Sequence, residues 1–284
     1  MPNYILYQAV TPDAINECRY SLLKYLSVYN LNPPPNIAIT IRTNAPAAFE
    51  SFIPFFERFE LSRYDDSKPG KIDLIKDCLS TQTCNLLYLN PDSYPNGPVD
   101  TIFQELLKKD FLFLKRKSGL DKSRLQAFQK IKFYLANHEV RVDNNRILYP
   151  STENFSSTEV IGVNHHSSPI FQKIFQLYLQ LVTEVPPVEA AEFAFAYYAG
   201  ANSGIIENTI NSYRNFPAFK KLLQAFFARN EEESIPNLVK MVYHLDAETV
   251  LQEKNKYDSQ PFVKRILSVL SGKAWSVRQY QNKF

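Results

Sequence analysis

The chain has 284 residues with 45% apolar residues and a formal net charge of +3, which is enough apolar material for a substantial core and carries no signature of disorder. Only 7 glycines stand against 21 Phe and 17 Tyr. Neither G-x-x-x-x-G-K nor G-x-G-x-x-G occurs, so glycine-built phosphate loops of the Walker and Rossmann kinds are excluded.

No window reaches the ~18 consecutive apolar residues that a membrane span needs, and the N-terminus M-P-N-Y-I-L-Y-Q lacks the pattern of a secretory signal. Cys18, Cys78 and Cys84 are odd in number and show no C-x-x-C spacing, so they are read as reduced, buried thiols and the cytoplasm as the expected compartment.

Tyr4 to Tyr7 is a short β-type run. Thr11-Pro12-Asp13 then supplies an N-cap, a first-turn proline and a first-turn acid. Ile15, Cys18, Leu22, Leu26 and Tyr29 follow at helical spacing until Asn32-Pro33-Pro34-Pro35 stops the helix. Ile37 to Thr43 reads as a β-branched strand, Ala45 to Phe56 and Lys71 to Leu79 as helices, and Asn85 to Leu89 as the next strand. That last apolar run ends abruptly in Asn90-Pro91-Asp92, an acidic turn at a strand's C-terminal end. Val99 to Lys108 reads as helix, Phe111 to Leu114 as strand, Leu120 to Leu135 as helix and Thr158 to Asn164 as strand. From Ser167 onward the periodicity is helical, near 168–182, 188–199, 217–229, 235–250 and 260–270.

This alternation predicts an α/β fold, a mostly parallel sheet with helices on both faces, plus a helix-rich C-terminal half. The expected organisation is an α/β layer over 1–165 and a helix-rich part over 166–284, packed as one compact unit. Parallel strands put their C-termini at one edge, so the loops after the first two strands and the turn at Asn90-Pro91-Asp92 are expected to share a crevice.

Charge is unevenly spread. Residues 108–132 hold nine Lys and Arg against Asp110 and Asp121, and residues 254–284 hold seven against Asp258. These runs are read as coats of solvated helices, with steering of an anionic partner or peripheral contact with a membrane surface as the other readings. The interleaved aromatics Phe111, Phe113, Phe128 and Tyr134 sit at core-like spacing, so no nucleic acid is expected as a partner. His165-His166 follows the Val160–Asn164 run, and on extended backbone the two rings would point to opposite sides, which disfavours a shared metal. No G-x-S-x-G accompanies a serine, and no Cys-His motif is present.

The residues I-L-Y-Q-A at Ile5–Ala9, N-E-C-R-Y-S-L-L at Asn16–Leu23, I-x-I-R-T-N-A-P at Ile39–Pro46, K-I-D-L-I-K-D at Lys71–Asp77 and N-L-L-Y-L-N-P-D-S-Y at Asn85–Tyr94 form an ordered series. V-I-G-V-N at Val160–Asn164, E-F-A-F at Glu192–Phe195 and I-N-S-Y-R-N-F-P-A-F at Ile210–Phe219 continue it. In order and spacing the series resembles the nucleotide-diphospho-sugar transferases of the GT-A fold, in their bacterial glycosyltransferase-like branch, over about the first 230 residues.

The resemblance implies a nucleotide-diphosphate sugar as donor and a glycan, lipid or protein as acceptor. It places Asn90 and Asp92 at the diphosphate, Ala9 and Asn44 near the nucleotide, and Asn164 and Tyr213 on the acceptor side; beside it, Lys71 is read as an electrostatic clamp on the diphosphate and His165, directly after the Val160–Asn164 run, as an acceptor contact. The catalytic residue is left open, with Glu192 as the candidate. Family members carry two aspartates in the acidic turn, which hold Mn²⁺ or Mg²⁺. Asp92 matches the second, whereas Asn90 stands at the first and removes a full negative charge beside a hard cation. Asn44 likewise replaces an expected acid, Ala191 replaces the acid before Phe-Ala-Phe, and Ser212 replaces the His of a His-Tyr pair.

Two readings follow: a transferase, if active, in which Lys71, Arg214 or Lys273 replaces the cation, or a catalytically silent relative serving as a binding or scaffold subunit. Trp275 is read as a core or interface anchor. Retaining and inverting transferases share this architecture, so neither outcome is implied.

Overall fold

The computed structural model describes residues 2–65, 70–114, 122–150, 156–213, 216–261, 264–265 and 276. Arg214, Lys273 and Trp275, residues 115–121 of the first basic run, and most of the helix expected near 260–270 lie outside them.

Strand β1 (Asn3–Ala9) is followed by α1 (Pro12–Val28), β2 (Ile37–Thr43), a 3₁₀ stretch (Pro46–Phe55), β3 (Phe59–Arg63), α2 (Lys71–Thr81) and β4 (Asn85–Leu89). The chain continues through β5 (Ser93–Pro95), α3 (Asp100–Leu106), β6 (Phe111–Leu114), α4 (Lys122–Asn137), the small ribbon β7 (Arg141–Val142) and β8 (Asn145–Arg146), and β9 (Ser157–Val163). The remainder holds α5 (Ser168–Leu181), α6 (Pro187–Tyr198), β10 (Ser203–Ile206), β11 (Ile210–Ser212), α7 (Pro217–Arg229), α8 (Ile235–His244) and α9 (Ala247–Asp258).

Seven strands form the main sheet in the order β10-β6-β9-β4-β1-β2-β3. β1 pairs parallel to β2 and β4, β2 to β3, and β6 to β10, whereas β9 runs antiparallel to both β4 and β6. The sheet is therefore mostly parallel, as the alternating pattern predicts. Its inner strands are buried on both faces: every residue of β4 and β6 is buried, as continuous apolar runs require.

One face packs against α1, α3, α7, α8 and α9 in a core that includes Tyr20, Phe103, Phe219, Leu238 and Val250. The other packs against α2, α4, α5 and α6 through Ile75, Phe128, Phe171 and Phe195. The helices from the later half thus cover both faces. The division expected at residue 165 is not where the layer ends, because β10 returns from the helical half and completes the sheet edge through Ser203–Phe111 pairing.

The expected helix Ala45–Phe56 is a 3₁₀ stretch with Pro54 inside it, where the missing N–H and the ring disfavour α-helical bonding. The expected helix near 235–250 is two helices: Asp246 caps α9, its side chain accepting from Thr249 N at 2.9 Å. Cys18 and Cys84 are buried, Cys78 is partly exposed, and all three thiols are free, with Cys78 and Cys84 sulfurs 3.9 Å apart.

Candidate functional site

The strand order reverses direction at β1. From there the chain moves through β2 to β3 on one side, whereas β4 lies on the other. Adjacent parallel strands whose connections leave in opposite directions open a crevice beyond their carboxyl ends. A cavity of about 370 Å³ lies there. One wall is the β1–α1 junction, with Gln8, Val10, Thr11, Ala14 and Glu17; the opposite wall is the turn after β4, with Tyr88, Asn90, Pro91 and Asp92. The first turn of α2 closes one side with Gly70, Lys71 and Ile72, and α5 and α6 contribute Tyr178, Pro187 and Val188.

The turn is held from three sides. Asn90 N donates to Glu159 O at 2.9 Å and Ser93 N donates to Asn90 O at 2.9 Å. The third support comes from far along the chain: β11 pairs antiparallel with β5, and Tyr213 N donates to Asp92 O at 3.2 Å. Asp92 is 7% exposed. The Asn90 side-chain carbonyl accepts from the Tyr88 hydroxyl at 3.1 Å.

Lys71 enters from the start of α2. Its ammonium donates to Thr158 O at 2.5 Å and Thr158 Oγ1 at 2.9 Å, and lies 5.9 Å from the Tyr88 ring centre. Both of these oxygens are neutral. Gly70 is the N-cap and gives α2 no side-chain cap, and the start of this helix, with the acid Asp73 in its first turn, lines the cavity.

Two residues of the site were not foreseen from the sequence. Glu17, on α1, is 5% exposed, and Lys220, from α7, reaches it with Nζ 2.7 Å from Oε1. Burial raises the Glu17 carboxyl above its ordinary value, although Lys220 pulls it back, and the Asp92 charge adds to the rise. For Lys220, burial opposes the charged form, but Glu17, Asp92 and Asp13 outweigh it and the pKa is raised. A raised folded-state carboxyl pKa binds the proton more tightly than the unfolded chain does. Its contribution to stability is therefore greatest below the unfolded value and falls as pH rises through the folded value. Glu17→Gln is expected to match the wild type in acid and to gain on it as pH rises to neutrality, measured by urea unfolding across pH. A gap of constant size would contradict this.

The expected site residues separate into two groups. Lys71, Asn90 and Asp92 line the crevice together, and Tyr213 abuts it from behind Asp92. Ala9 pairs with Thr43 across β1 and β2, which puts Ala9 and the following Asn44 at the same sheet edge. Ala9, however, turns its methyl into the core, leaving its neighbours Gln8 and Val10 on the cavity wall, and Asn44 is exposed and is not a lining residue.

Asn164 and His165 do not join the crevice. Because β9 runs antiparallel, its end pairs with the beginning of β4, Leu86 opposite Val163, at the far edge of the sheet. There Asn164 donates to Leu106 O and accepts from His166 N at 2.9 Å, while His165 N donates to Asn85 Oδ1 at 3.3 Å. The two histidines sit in a 3₁₀ turn with ring centres 3.6 Å apart, not on opposite sides of an extended backbone. Glu192 faces α4, where Arg124 lies 3.5 Å from its carboxylate at 1% side-chain exposure; it does not line the cavity.

The donor set suits a divalent cation poorly. A hard ion takes six or more oxygens and prefers carboxylates, whereas the turn offers Asp92 and an amide oxygen already hydrogen-bonded to Tyr88. Glu17, the other wall carboxylate, is held by an ammonium. Among the described residues no three His, Cys, Asp or Glu side chains converge in metal-binding geometry, and no helix is long and apolar enough to cross a membrane.

No protein-family model matches the chain, and no curated protein matches it. Among solved structures it is similar to the glycosyltransferase GlyE of Streptococcus pneumoniae TIGR4, at 10% identity and a TM-score of 0.45, over 83% of this chain and 51% of GlyE. It is also similar to mouse xyloside xylosyltransferase 1, at 9% identity and a TM-score of 0.42, over 73% of this chain and 86% of that one. The third is the galactosyltransferase LgtC, solved with donor and acceptor sugar analogues, at 11% identity and a TM-score of 0.45 over 72% and 73% of the two chains. This chain spans about half the length of GlyE. With every one of these TM-scores below 0.5, the likeness is partial, and function has to be sought in the crevice's own residues.

Proposed function

We propose that the crevice binds a nucleotide-diphosphate sugar and that the protein transfers the sugar to an acceptor at the crevice mouth. The observation that carries this reading is the convergence at one switch point of the Asn90-Pro91-Asp92 turn with Lys71 and the uncapped first turn of α2. An ammonium beside a helix N-terminus favours a phosphate group. A buried carboxylate with amide neighbours suits the hydroxyls of a sugar, and about 370 Å³ falls within the ordinary range of ligand pockets. The ordered landmarks from Ile5 to Phe219 support the same reading.

In this scheme Lys71 and the α2 amides neutralise charge on the diphosphate, which is both how the donor is held and how the departing nucleotide is stabilised. Asp92 and Asn90 orient the sugar, and Gln8 and Val10 flank the nucleotide. The acceptor is a hydroxyl of a glycan, lipid or protein.

The test is titration with UDP- and GDP-sugars, followed by urea or thermal unfolding. At about 100 times its Kd a donor adds about 2.7 kcal/mol to stability. No shift with any of them removes the reading. A second reading, donor binding without turnover, is favoured by the burial of Glu192 against Arg124 and by asparagine at position 90. Sugar transfer or donor hydrolysis by the wild-type protein would rule it out.

A further inference from the structure

We infer that Cys78 and Cys84 are a site of reversible oxidation, at which a disulfide ties the end of α2 to the start of β4; the inference is independent of the donor reading above. Cys78 lies in the last turn of α2, and Cys84 directly precedes β4. Their sulfurs are 3.9 Å apart, so closing a disulfide asks for an approach of about 2 Å. The helix end can supply it. Gln82 N donates to Cys78 O at 3.0 Å and closes α2, with Gln82 itself extended, and helix ends fray. Cys84 is held in place by its neighbour: Asn85 N donates to Pro2 O and Asn85 Nδ2 to Asn3 Oδ1, both at 3.2 Å. Cys18, the third cysteine, is buried in the core on the other face of the sheet and cannot compete.

The pair is also ordered for oxidation from solvent. Cys78 is partly exposed and Cys84 is fully buried, so an oxidant meets Cys78 first and Cys84 resolves the product. The sulfhydryl shared between them favours the thiolate on Cys84 and keeps the proton on Cys78, where burial and the Glu60 charge add to the rise. Cys78 therefore reacts slowly at neutral pH, and its partner attacks readily. With glutathione disulfide as oxidant, the Cys78 sulfur attacks one sulfur of the reagent and gives its proton to the departing glutathione. The Cys84 sulfur then attacks Cys78 in the mixed disulfide and expels the second glutathione, which takes up the proton lost from Cys84. One protein disulfide and two glutathione thiols result, and two electrons pass from the protein to the reagent. The second step is intramolecular, so the mixed disulfide does not accumulate. Helix α2 is then fastened at both ends, by the Lys71 bonds to Thr158 at its start and by the disulfide at its finish.

The full chain is equilibrated in buffers of graded glutathione to glutathione disulfide ratio, quenched in acid, alkylated in denaturant and read by intact mass and peptide mapping. The expected result is that only Cys18 remains open to alkylation, with a Cys78–Cys84 linked peptide that dithiothreitol releases. The native chain should close this link at a ratio about tenfold or more less oxidising than the same chain in concentrated urea requires, because the fold holds the sulfurs together. Cys84→Ser should stop at a glutathione adduct on Cys78, Cys78→Ser should take up none, and Cys18→Ser should behave as the wild type. Three intact thiols in glutathione disulfide alone, a wild type that stops at the mixed disulfide, a link through Cys18, chains cross-linked through Cys78, or equal behaviour in urea each overturns the inference. Should a variant fail to fold, as seen by circular dichroism, the wild-type map and its comparison with urea still decide.

Discussion

Tyr20→Ala is expected to lower stability by about 3–5 kcal/mol, a large part of the roughly 5–15 kcal/mol that holds a native domain together. Tyr20 is fully buried in the middle of α1. Its ring meets Tyr94 at 5.2 Å, Phe219 at 5.3 Å and Tyr213 at 6.0 Å between centroids, all edge-on. Its hydroxyl donates to Leu245 O at 2.8 Å. One side chain therefore joins α1 to α7, to the end of α8 and to the short β5–β11 ribbon that backs the acidic turn. Truncation would open a cavity among rings and leave the Leu245 carbonyl without that donor.

Tyr20→Phe separates the two losses. It keeps the ring and removes the hydroxyl, so about 1–3 kcal/mol is expected for the buried carbonyl left unpaired. Urea unfolding with an unchanged m-value measures both. A Tyr20→Ala protein no less stable than Tyr20→Phe would show that the aromatic cluster does not tie the later helices to α1.

Much of the sheet was legible because its signals are local. Ile37–Thr43 and Asn85–Leu89 form strands with the bounds expected from their apolar and β-branched runs. Thr11 caps α1 by accepting from Ala14 N at 3.2 Å, as its sequence predicts. What was not legible depends on partners distant in the chain. β3, β10 and β11 are short and partly exposed, so their strand character comes from the neighbour they pair with. The direction of β9 leaves no trace in Ser157–Val163, since side-chain alternation is the same both ways along a strand. Its antiparallel course carries Asn164 and His165, expected on the acceptor side, to the opposite edge of the sheet.

The missing half of the site has the same origin. Glu17, Tyr20 and Lys24 are spaced along one stripe of α1, and all three are buried beside the apolar stripe of Cys18, Leu22 and Leu26. A helix covered nearly all round is the one available hint that Glu17 faces inward. Nothing near Lys220 says that it meets Glu17, because α7 and α1 are brought together only by packing.

Lys71→Met is expected to weaken donor binding by about 10- to 100-fold, the loss of a charge-assisted hydrogen bond worth about 1.5–3 kcal/mol. The same lysine is a structural strut, since its two bonds to Thr158 tie the start of α2 to β9, and a fall in stability is expected alongside. Thr158→Val separates the roles. It removes the Oγ1 acceptor but leaves the carbonyl acceptor and the lysine's charge, so it should cost some stability while donor affinity stays near the wild-type value. If affinity instead falls equally in both variants, the lysine acts by positioning α2 and not by its charge. Salt adds an independent check: attraction between an ammonium and a diphosphate at an open crevice is screened as ionic strength rises. Wild-type affinity should therefore decline with added salt more steeply than that of Lys71→Met. Parallel slopes would mean that the diphosphate does not lie against this end of α2.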